Sequence, residues 1–125
     1  MSESLQNPFA KVCGIGNDTG TVNLELAGGD GQMFTIPMSV ALKGMLLTPI
    51  AGNPNVFSLG LAPALKGQTL SIHSGAQIIN PGPPCKVSVG YILKSSSGTV
   101  FFDGVVELPA TLNSIVSIGG MIHFQ

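Results

Sequence analysis

Charged side chains are scarce in this chain of 125 residues. Asp, Glu, Lys and Arg together make up 9% of the sequence, against about 25% in an average soluble domain. Arginine is absent, and five lysines against six acidic residues give a formal net charge of −1. Nucleic-acid-binding and polybasic membrane-binding surfaces both need clustered Lys and Arg to attract phosphate groups. The composition therefore excludes both kinds of charge-driven partner, nucleic acid and membrane.

Long apolar runs and a secretory signal are also missing. No run approaches the ~18 apolar residues of a transmembrane helix, and the N-terminus has no basic stretch followed by an apolar one. We therefore expect a protein made in the cytoplasm without a secretory signal. In that compartment the two cysteines, Cys13 and Cys85, are expected to be reduced and buried, with a Cys13–Cys85 disulfide as the less favoured alternative.

Motifs for catalysis and for metal binding are absent too. The two histidines, His73 and His123, lie in neither a Gly-x-Ser-x-Gly nor a His-Glu-x-x-His motif, and no phosphate-binding loop ends in Gly-Lys-Ser/Thr. Zinc ligands usually come in pairs about two to five residues apart, whereas both histidines and both cysteines are isolated in the sequence. We therefore expect no enzymatic activity, no metal, no cofactor and no small-molecule ligand.

Period-2 alternation of apolar and polar residues is the dominant pattern. Residues 21–27 and 85–93 alternate clearly, and Gly, Pro and Asn clusters separate the segments, as is typical of half-buried β-strands. The pattern predicts an all-β fold, an antiparallel β-sandwich, with a single jelly roll of about eight strands as the favoured topology. Residues 38–48 are ambiguous between a strand and a short helix, and we favour the strand.

The alternation also predicts which side chains face the core. In residues 99–108, Val100, Phe102 and Val106 share one face, and Phe101 and Val105 share the opposite one. The predicted core consists of Leu24, Leu26, Leu70, Ile72, Val87, Val89, Tyr91, Val100 and Phe102.

One weak internal repeat concerns the outer surface. Residues 57–60, 87–90 and 116–119 share the pattern apolar-Ser-apolar-Gly. In a strand, this pattern places Ser and Gly together on the face opposite the two apolar residues, where small side chains allow another backbone to approach closely. The repeat indicates either a flat contact surface or chance recurrence in a chain rich in Ser, Val and Gly.

The beginning of the chain is expected to form a separate segment. We interpret residues 1–9 as an extended N-terminal arm, ended by Pro8, and residues 10–125 as a single β-sandwich domain. Only Leu5 and Phe9 could anchor the arm. We therefore expect the arm to be disordered in a free monomer and ordered only by a partner.

Little charge combined with high hydropathy implies an unusual surface. The mean hydropathy of +0.45 excludes intrinsic disorder, which requires low hydrophobicity and high net charge. Either this is a neutral β-protein that tolerates such an exterior, or neighbouring subunits cover much of the surface, and we favour the second. The predicted subunit-contact residues are Leu5, Phe9, Val12, Phe101, Val105, Ile122 and Phe124.

In size, strand pattern, scarcity of charge and the arm at residues 1–11, the chain resembles small single-jelly-roll proteins of phage and virus capsids. That group includes cement, decoration and vertex proteins. The resemblance implies a structural protein of the virion that makes contacts with copies of itself and with a major coat protein.

Two other interpretations stay open. One is a carbohydrate-binding or host-attachment module of the same fold, as on a tail fibre or spike. The only tyrosine, Tyr91, is expected to face inward, so the aromatic platform that lectins usually present to sugars is predicted to be missing. The other is a bacterial β-sandwich of unknown role.

Overall fold

The computed structural model describes residues 3–28, 33–35, 38–53, 55–80, 86–109 and 115–125. Within these residues the chain forms eleven strands and one short helix. The strands are β1 (Glu3–Leu5), β2 (Phe9–Cys13), β3 (Thr21–Gly28), β4 (Met33–Thr35), β5 (Met38–Leu42), β6 (Met45–Leu46), β7 (Val56–Leu61), β8 (Thr69–Asn80), β9 (Lys86–Ser95), β10 (Val100–Pro109) and β11 (Ile115–Phe124). The helix α1 (Ala62–Leu65) follows β7 directly. The predicted all-β class is confirmed.

The strands form two sheets that pack face to face. The first sheet has the order β1-β10-β9-β3-β7, and the second has the order β2-β11-β8-β5-β6, with β4 also paired to β8. The ring centroid of Phe9 in the second sheet lies 5.2 Å from the ring centroid of Tyr91 and 6.5 Å from that of Phe102, both in the first sheet. Ser74 Oγ and Tyr91 OH form a buried hydrogen bond of 3.2 Å between the sheets. The predicted β-sandwich is therefore confirmed.

Strand pairing is antiparallel with two exceptions, and both involve the N-terminal strands. β1 pairs in parallel with β10, and β2 pairs in parallel with β11. Every other pairing between the described strands is antiparallel. The sheets are thus mixed, which corrects the expectation of a purely antiparallel sandwich. Strands β3 to β11 form an antiparallel sandwich of their own, and the jelly-roll topology is not confirmed.

The N-terminal segment packs on its own chain, which corrects the expectation that it needs a partner. Glu3, Ser4 and Leu5 pair with β10, and Phe9 begins the pairing with β11. The side chains of Leu5 and Phe9 are buried in the core. Sequence reasoning missed this packing because the partners of both side chains lie about a hundred residues away in the sequence.

The predicted core is largely confirmed. The buried members are Leu24, Leu26, Leu70, Ile72, Val89, Tyr91 and Phe102. Val100 is the exception, with 55% of its surface exposed, because the register with β9 shifts between Val100 and Phe102. A β-bulge of this kind breaks the strict alternation on which the prediction depended. The side chain of Val87 lies outside the described part of the structure.

Residues 38–47, the ambiguous stretch, form a hairpin and not a helix. β5 and β6 pair through Leu42 and Met45, which leaves Lys43 and Gly44 as a two-residue loop. The φ angles of Lys43 and Gly44 are 56° and 75°. Two successive residues in the left-handed region are the signature of the type I′ turn, whose twist matches that of the flanking strands. The favoured strand assignment is confirmed.

Candidate interaction surface

The outer face of the second sheet carries no charged side chain among the described residues. In β8, Leu70 and Ile72 are buried while Ser71 and His73 point outward, and the other strands of the sheet alternate in the same way. The outward residues are Ala10, Val12, Ser39, Ala41, Leu46, Thr69, Ser71, His73, Ser117, Gly119, Met121 and His123. We call these twelve residues the neutral face.

Strand register places Met121 near the centre of the neutral face. Met121 lies opposite Ala10 on one side and Ser71 on the other. Ser71 pairs with Ala41, and Ala41 pairs with Leu46. These five residues form one row across the whole sheet. Met121 is 52% exposed and Leu46 is 73% exposed, so the row presents large apolar side chains to solvent between small ones.

The face is broad. Strands are spaced about 4.8 Å apart and rise about 3.3 Å per residue, so five strands and the four outward positions of β11 span roughly 20 Å in each direction. Val12, on the edge strand, is 60% exposed and lies opposite His123. Small residues such as Ser117 and Gly119 project little from the sheet, so the backbone of another protein could approach closely there.

Both histidines lie on the neutral face, but they are not neighbours. His123 Nδ1 and Thr69 Oγ1 are 3.0 Å apart, within hydrogen-bond distance, whereas His73 pairs with Gly119 and Ser39. The row of Met121 separates the two imidazoles, which places them four residues apart along the sheet, or roughly 13 Å. That separation is too large for a shared metal ion or a proton relay. In the described ranges, no group of three or more His, Cys, Asp or Glu could hold a metal ion.

The outer face of the first sheet differs, because it carries charge. Glu25 and Lys94 form an ion pair of 2.9 Å there, and Asp103 lies on the same face of β10. Phe101 and Val105, two of the predicted contact residues, are half-buried on this charged face. Phe101 also packs against the core at its edge. These two side chains therefore offer less free apolar surface than the sequence suggested.

Four of the seven predicted contact residues belong to the core of this chain. Leu5, Phe9, Ile122 and Phe124 are all buried in the same hydrophobic cluster. Packed within their own chain, these four side chains have no free surface on either outer face, so they cannot make the expected contacts there. Val12 is the one predicted contact residue on the neutral face.

Met121 and Leu46 are exposed apolar residues that sequence reasoning missed. The last segment of the chain is apolar at many positions and contains Gly119-Gly120, so its period-2 pattern was hidden. Ile118 and Ile122 are fully buried, whereas Met121, an odd-numbered position between them, is exposed. The even-numbered isoleucines are the signal that could have predicted an outward-facing Met121. Leu46 lies in a two-residue strand that is too short for any periodicity.

The carboxylate of Asp18 lies at the centre of a cluster of hydrogen bonds at one end of the first sheet. Its Oδ1 accepts hydrogen bonds from Ser95 Oγ at 2.6 Å and from the Gly20 backbone N–H at 2.8 Å. Its Oδ2 accepts one from Ser97 Oγ at 2.6 Å. The hydrogen bonds from Ser95, Ser97 and Gly20 lower the pKa of Asp18 to about 2. The carboxylate thus joins the loop before β3 to the β9–β10 hairpin.

Two other titratable groups lie in the core. Burial raises the pKa of the Tyr91 phenol, and the hydrogen bond with Ser74 offsets only part of this increase. Burial likewise raises the pKa of the Cys13 thiol, which is free and lies in the core. Cys85 lies outside the described residues. Because Tyr91 is fully buried, its ring cannot stack on a sugar, as the sequence predicted.

No helix in the described part of the chain is long and apolar enough to cross a membrane. Comparison with known proteins found no matching family model, no similar curated protein and no similar solved structure. A function for this chain is therefore inferred from its own surface and core.

Proposed function

We propose that this protein is a structural subunit of a virion, associated with the capsid, and that it acts through subunit contacts made by the neutral face. The observation that carries the proposal is the uneven distribution of a small number of charges over the two outer faces. The partners are copies of this chain and a major coat protein.

The absence of charge on the neutral face favours burial against a protein. Burying a charged group without a partner costs several kcal/mol, and the cores of interfaces are accordingly depleted of charged residues. The neutral face meets this condition over its whole width. Met121, Leu46 and Val12 supply apolar area whose removal from water is favourable, at roughly 25 cal/mol per Å².

A second copy of the chain is the partner that the neutral face fits most simply. Two identical uncharged faces can meet without like-charge repulsion. The outer face of the first sheet is less suited to such contact, because burial there would remove the charged groups of Glu25, Lys94 and Asp103 from water. Isologous contact through the neutral face is therefore the first contact that we expect.

A matched pair of serine substitutions tests this proposal. Ser71 lies on the neutral face and Ser58 lies on the outer face of β7 in the first sheet, and both are exposed. Light scattering after size-exclusion chromatography would compare Ser71→Asp, Ser58→Asp and the wild type over a range of concentrations. We expect a larger oligomer for the wild type and Ser58→Asp than for Ser71→Asp, which should lose the neutral-face contact while its circular dichroism spectrum stays unchanged.

Two outcomes would overturn the proposal. A wild-type protein that stays monomeric at high concentration would contradict association through the neutral face, and binding on a glycan array would then favour the carbohydrate-binding interpretation. The virion assignment has its own test in the genomic neighbourhood. Genes for coat, portal and terminase proteins beside this gene would support it, and a neighbourhood of bacterial metabolic genes would contradict it.

A further inference from the structure

The N-terminal segment, residues 3–15, occupies a groove at the lateral edge of the sandwich, where it adds one strand to each sheet. Its two strands make the only parallel pairings among the described strands, β1 with the first sheet and β2 with the second. Addition of an extended segment to an exposed sheet edge is a general mode of peptide recognition, in which backbone hydrogen bonds give affinity and side-chain pockets give specificity. The segment therefore has the form of a bound peptide.

Two glycines form the floor of the groove. A Cβ at Gly104 would lie 2.6 Å from Leu5 Cδ1 and 2.7 Å from Phe102 Cζ. A Cβ at Gly120 would overlap the ring of Phe9. Each anchor side chain of the segment thus fits over a position where only a hydrogen leaves enough room, one glycine in each sheet.

Polar contacts fix the register of the segment between its two anchors. The side-chain amide of Asn7 donates to the Ser117 carbonyl at 2.8 Å and accepts from the Gly119 N–H at 3.0 Å. These two bonds continue the pairing with β11 beyond the start of β2. Glu3 of the first sheet and Lys11 of the second also form an ion pair across the open edge. Together these contacts favour the sequence of residues 3–15 and its parallel orientation over other segments.

The connection from the segment to the rest of the domain is short and localised. Ile15, which is buried, accepts a hydrogen bond from Asp18 N–H across Gly16 and Asn17, and Gly16 has a φ of 63°. Beyond this turn, the carboxylate of Asp18 fixes the chain to the β9–β10 hairpin. Release of the segment requires loss of the β1 and β2 pairings and of the backbone hydrogen bonds that Cys13 and Ile15 make with Gln125. Extension of the turn at Gly16 and Asn17 would then let the segment leave while β3 to β11 keep their antiparallel pairing.

We propose that this groove is a strand-acceptor site that also binds residues 3–15 of a second copy in place of the chain's own segment. A second copy carries the identical Leu5, Asn7 and Phe9, so the complementarity seen within one chain holds between chains. Exchange of a terminal element through a short turn is a low-cost route to association. This contact is made at the edge of the sandwich and differs from contact through the neutral face, to which the segment contributes Ala10 and Val12.

Mixing two full-length variants tests the exchange. Leu5→Asp/Phe9→Asp has an intact groove but a segment that cannot be buried, because two carboxylates would enter the core. Gly120→Val has an intact segment but a blocked groove. Both variants also carry Ser71→Asp, which removes association through the neutral face. Native mass spectrometry of the mixture is expected to show a one-to-one heterodimer. Each variant alone is expected to stay monomeric.

A synthetic peptide of residues 3–15 provides a second measurement in case a variant is poorly folded. Added to Leu5→Asp/Phe9→Asp, the peptide is expected to bind and to raise the melting temperature or restore the β-sheet spectrum. A peptide with Phe9→Ala should bind at least about tenfold more weakly, because it loses the aromatic anchor. Absence of both the heterodimer and peptide binding would overturn the strand-acceptor site and would leave the neutral-face proposal untouched.

Discussion

The ring of Phe9 lies directly over Gly120, so that a single added carbon at residue 120 would overlap it. These two residues, one near each end of the chain, join the first strand of the second sheet to the last. The same relationship recurs in the first sheet between Leu5 and Gly104. The N-terminal segment is therefore part of the core, and the fit at two glycines determines how well it is held.

Substitution of Gly120 by Ala should be costly although it adds only one methyl group. Phe9 must move out of its position, and overpacking of this kind typically destabilises a protein by about 1–3 kcal/mol. Gly119→Ala is the matched control, since nothing lies within 4 Å of a Cβ at that position. Urea denaturation should show a lower midpoint for Gly120→Ala and an unchanged one for Gly119→Ala. Equal midpoints would mean that Phe9 does not lie over Gly120.

Truncation of Phe102 to Ala should cost about 2–5 kcal/mol, because it removes a buried ring and leaves a cavity between the sheets. Phe101→Ala, on the adjacent half-buried position, is expected to cost less than half as much. Thermal denaturation of both variants measures the difference. A melting temperature that falls more for Phe101→Ala would show that the register of β10 is wrong.

The stability of the loop cluster around Asp18 should depend on pH in the acid range. Its pKa is about 2 in the folded protein, below the ordinary value of 3.8, so the ionised form is favoured by folding. Its contribution is therefore complete above pH 4 or so and is lost as the pH falls toward about 2. Melting temperatures of the wild type and Asp18→Asn should diverge above this window and converge below it.

Removal of one donor provides a finer test of the same cluster. Ser97→Ala deletes a hydrogen bond to Asp18 Oδ2, which should raise the pKa of the carboxyl and move the acid transition to higher pH. Titration of Asp18 by NMR measures this shift directly. An unchanged pKa in Ser97→Ala would contradict the assignment of the cause.

Cys13 should be unreactive in the folded protein. Burial raises the pKa of its thiol, so little thiolate is present and access is blocked. Iodoacetamide is expected to label Cys13 only after unfolding, and Cys13→Ala or Cys13→Val should fold normally. Cys85 is predicted to be reduced as well, so a loss of two hydrogens in the mass of the non-reduced protein would contradict both expectations.

The parts of the structure that depend on local sequence could be predicted, and the parts that depend on strand neighbours could not. Val22, Leu24 and Leu26 of β3 are buried, as their alternation indicates, because side-chain direction along a strand has period two. The packing of Phe9 on Gly120 required knowledge of which strands are adjacent. The bulge that exposes Val100 is likewise a property of the pairing between two strands.

The neutral face could be predicted only in part for the same reason. Scarcity of charge is visible in the composition, but the collection of Met121, Ser71 and Ala41 into one row follows from the order of β11, β8 and β5. The sequence favoured the face of Phe101 instead, since two large apolar residues alternate with charged ones there.

Oxidation of the methionines in the assembled wild-type protein tests the central claim most directly. Met121 lies in the middle of the neutral face, whereas Met45, at the β5–β6 turn, pairs with Leu42 and points away from that face. Their exposed fractions in a single chain are similar, 52% and 70%. After brief treatment with hydrogen peroxide, peptide mass spectrometry should find Met45 oxidised and Met121 protected at high protein concentration, with both oxidised on dilution. Equal oxidation of the two methionines at every concentration would contradict assembly through the neutral face.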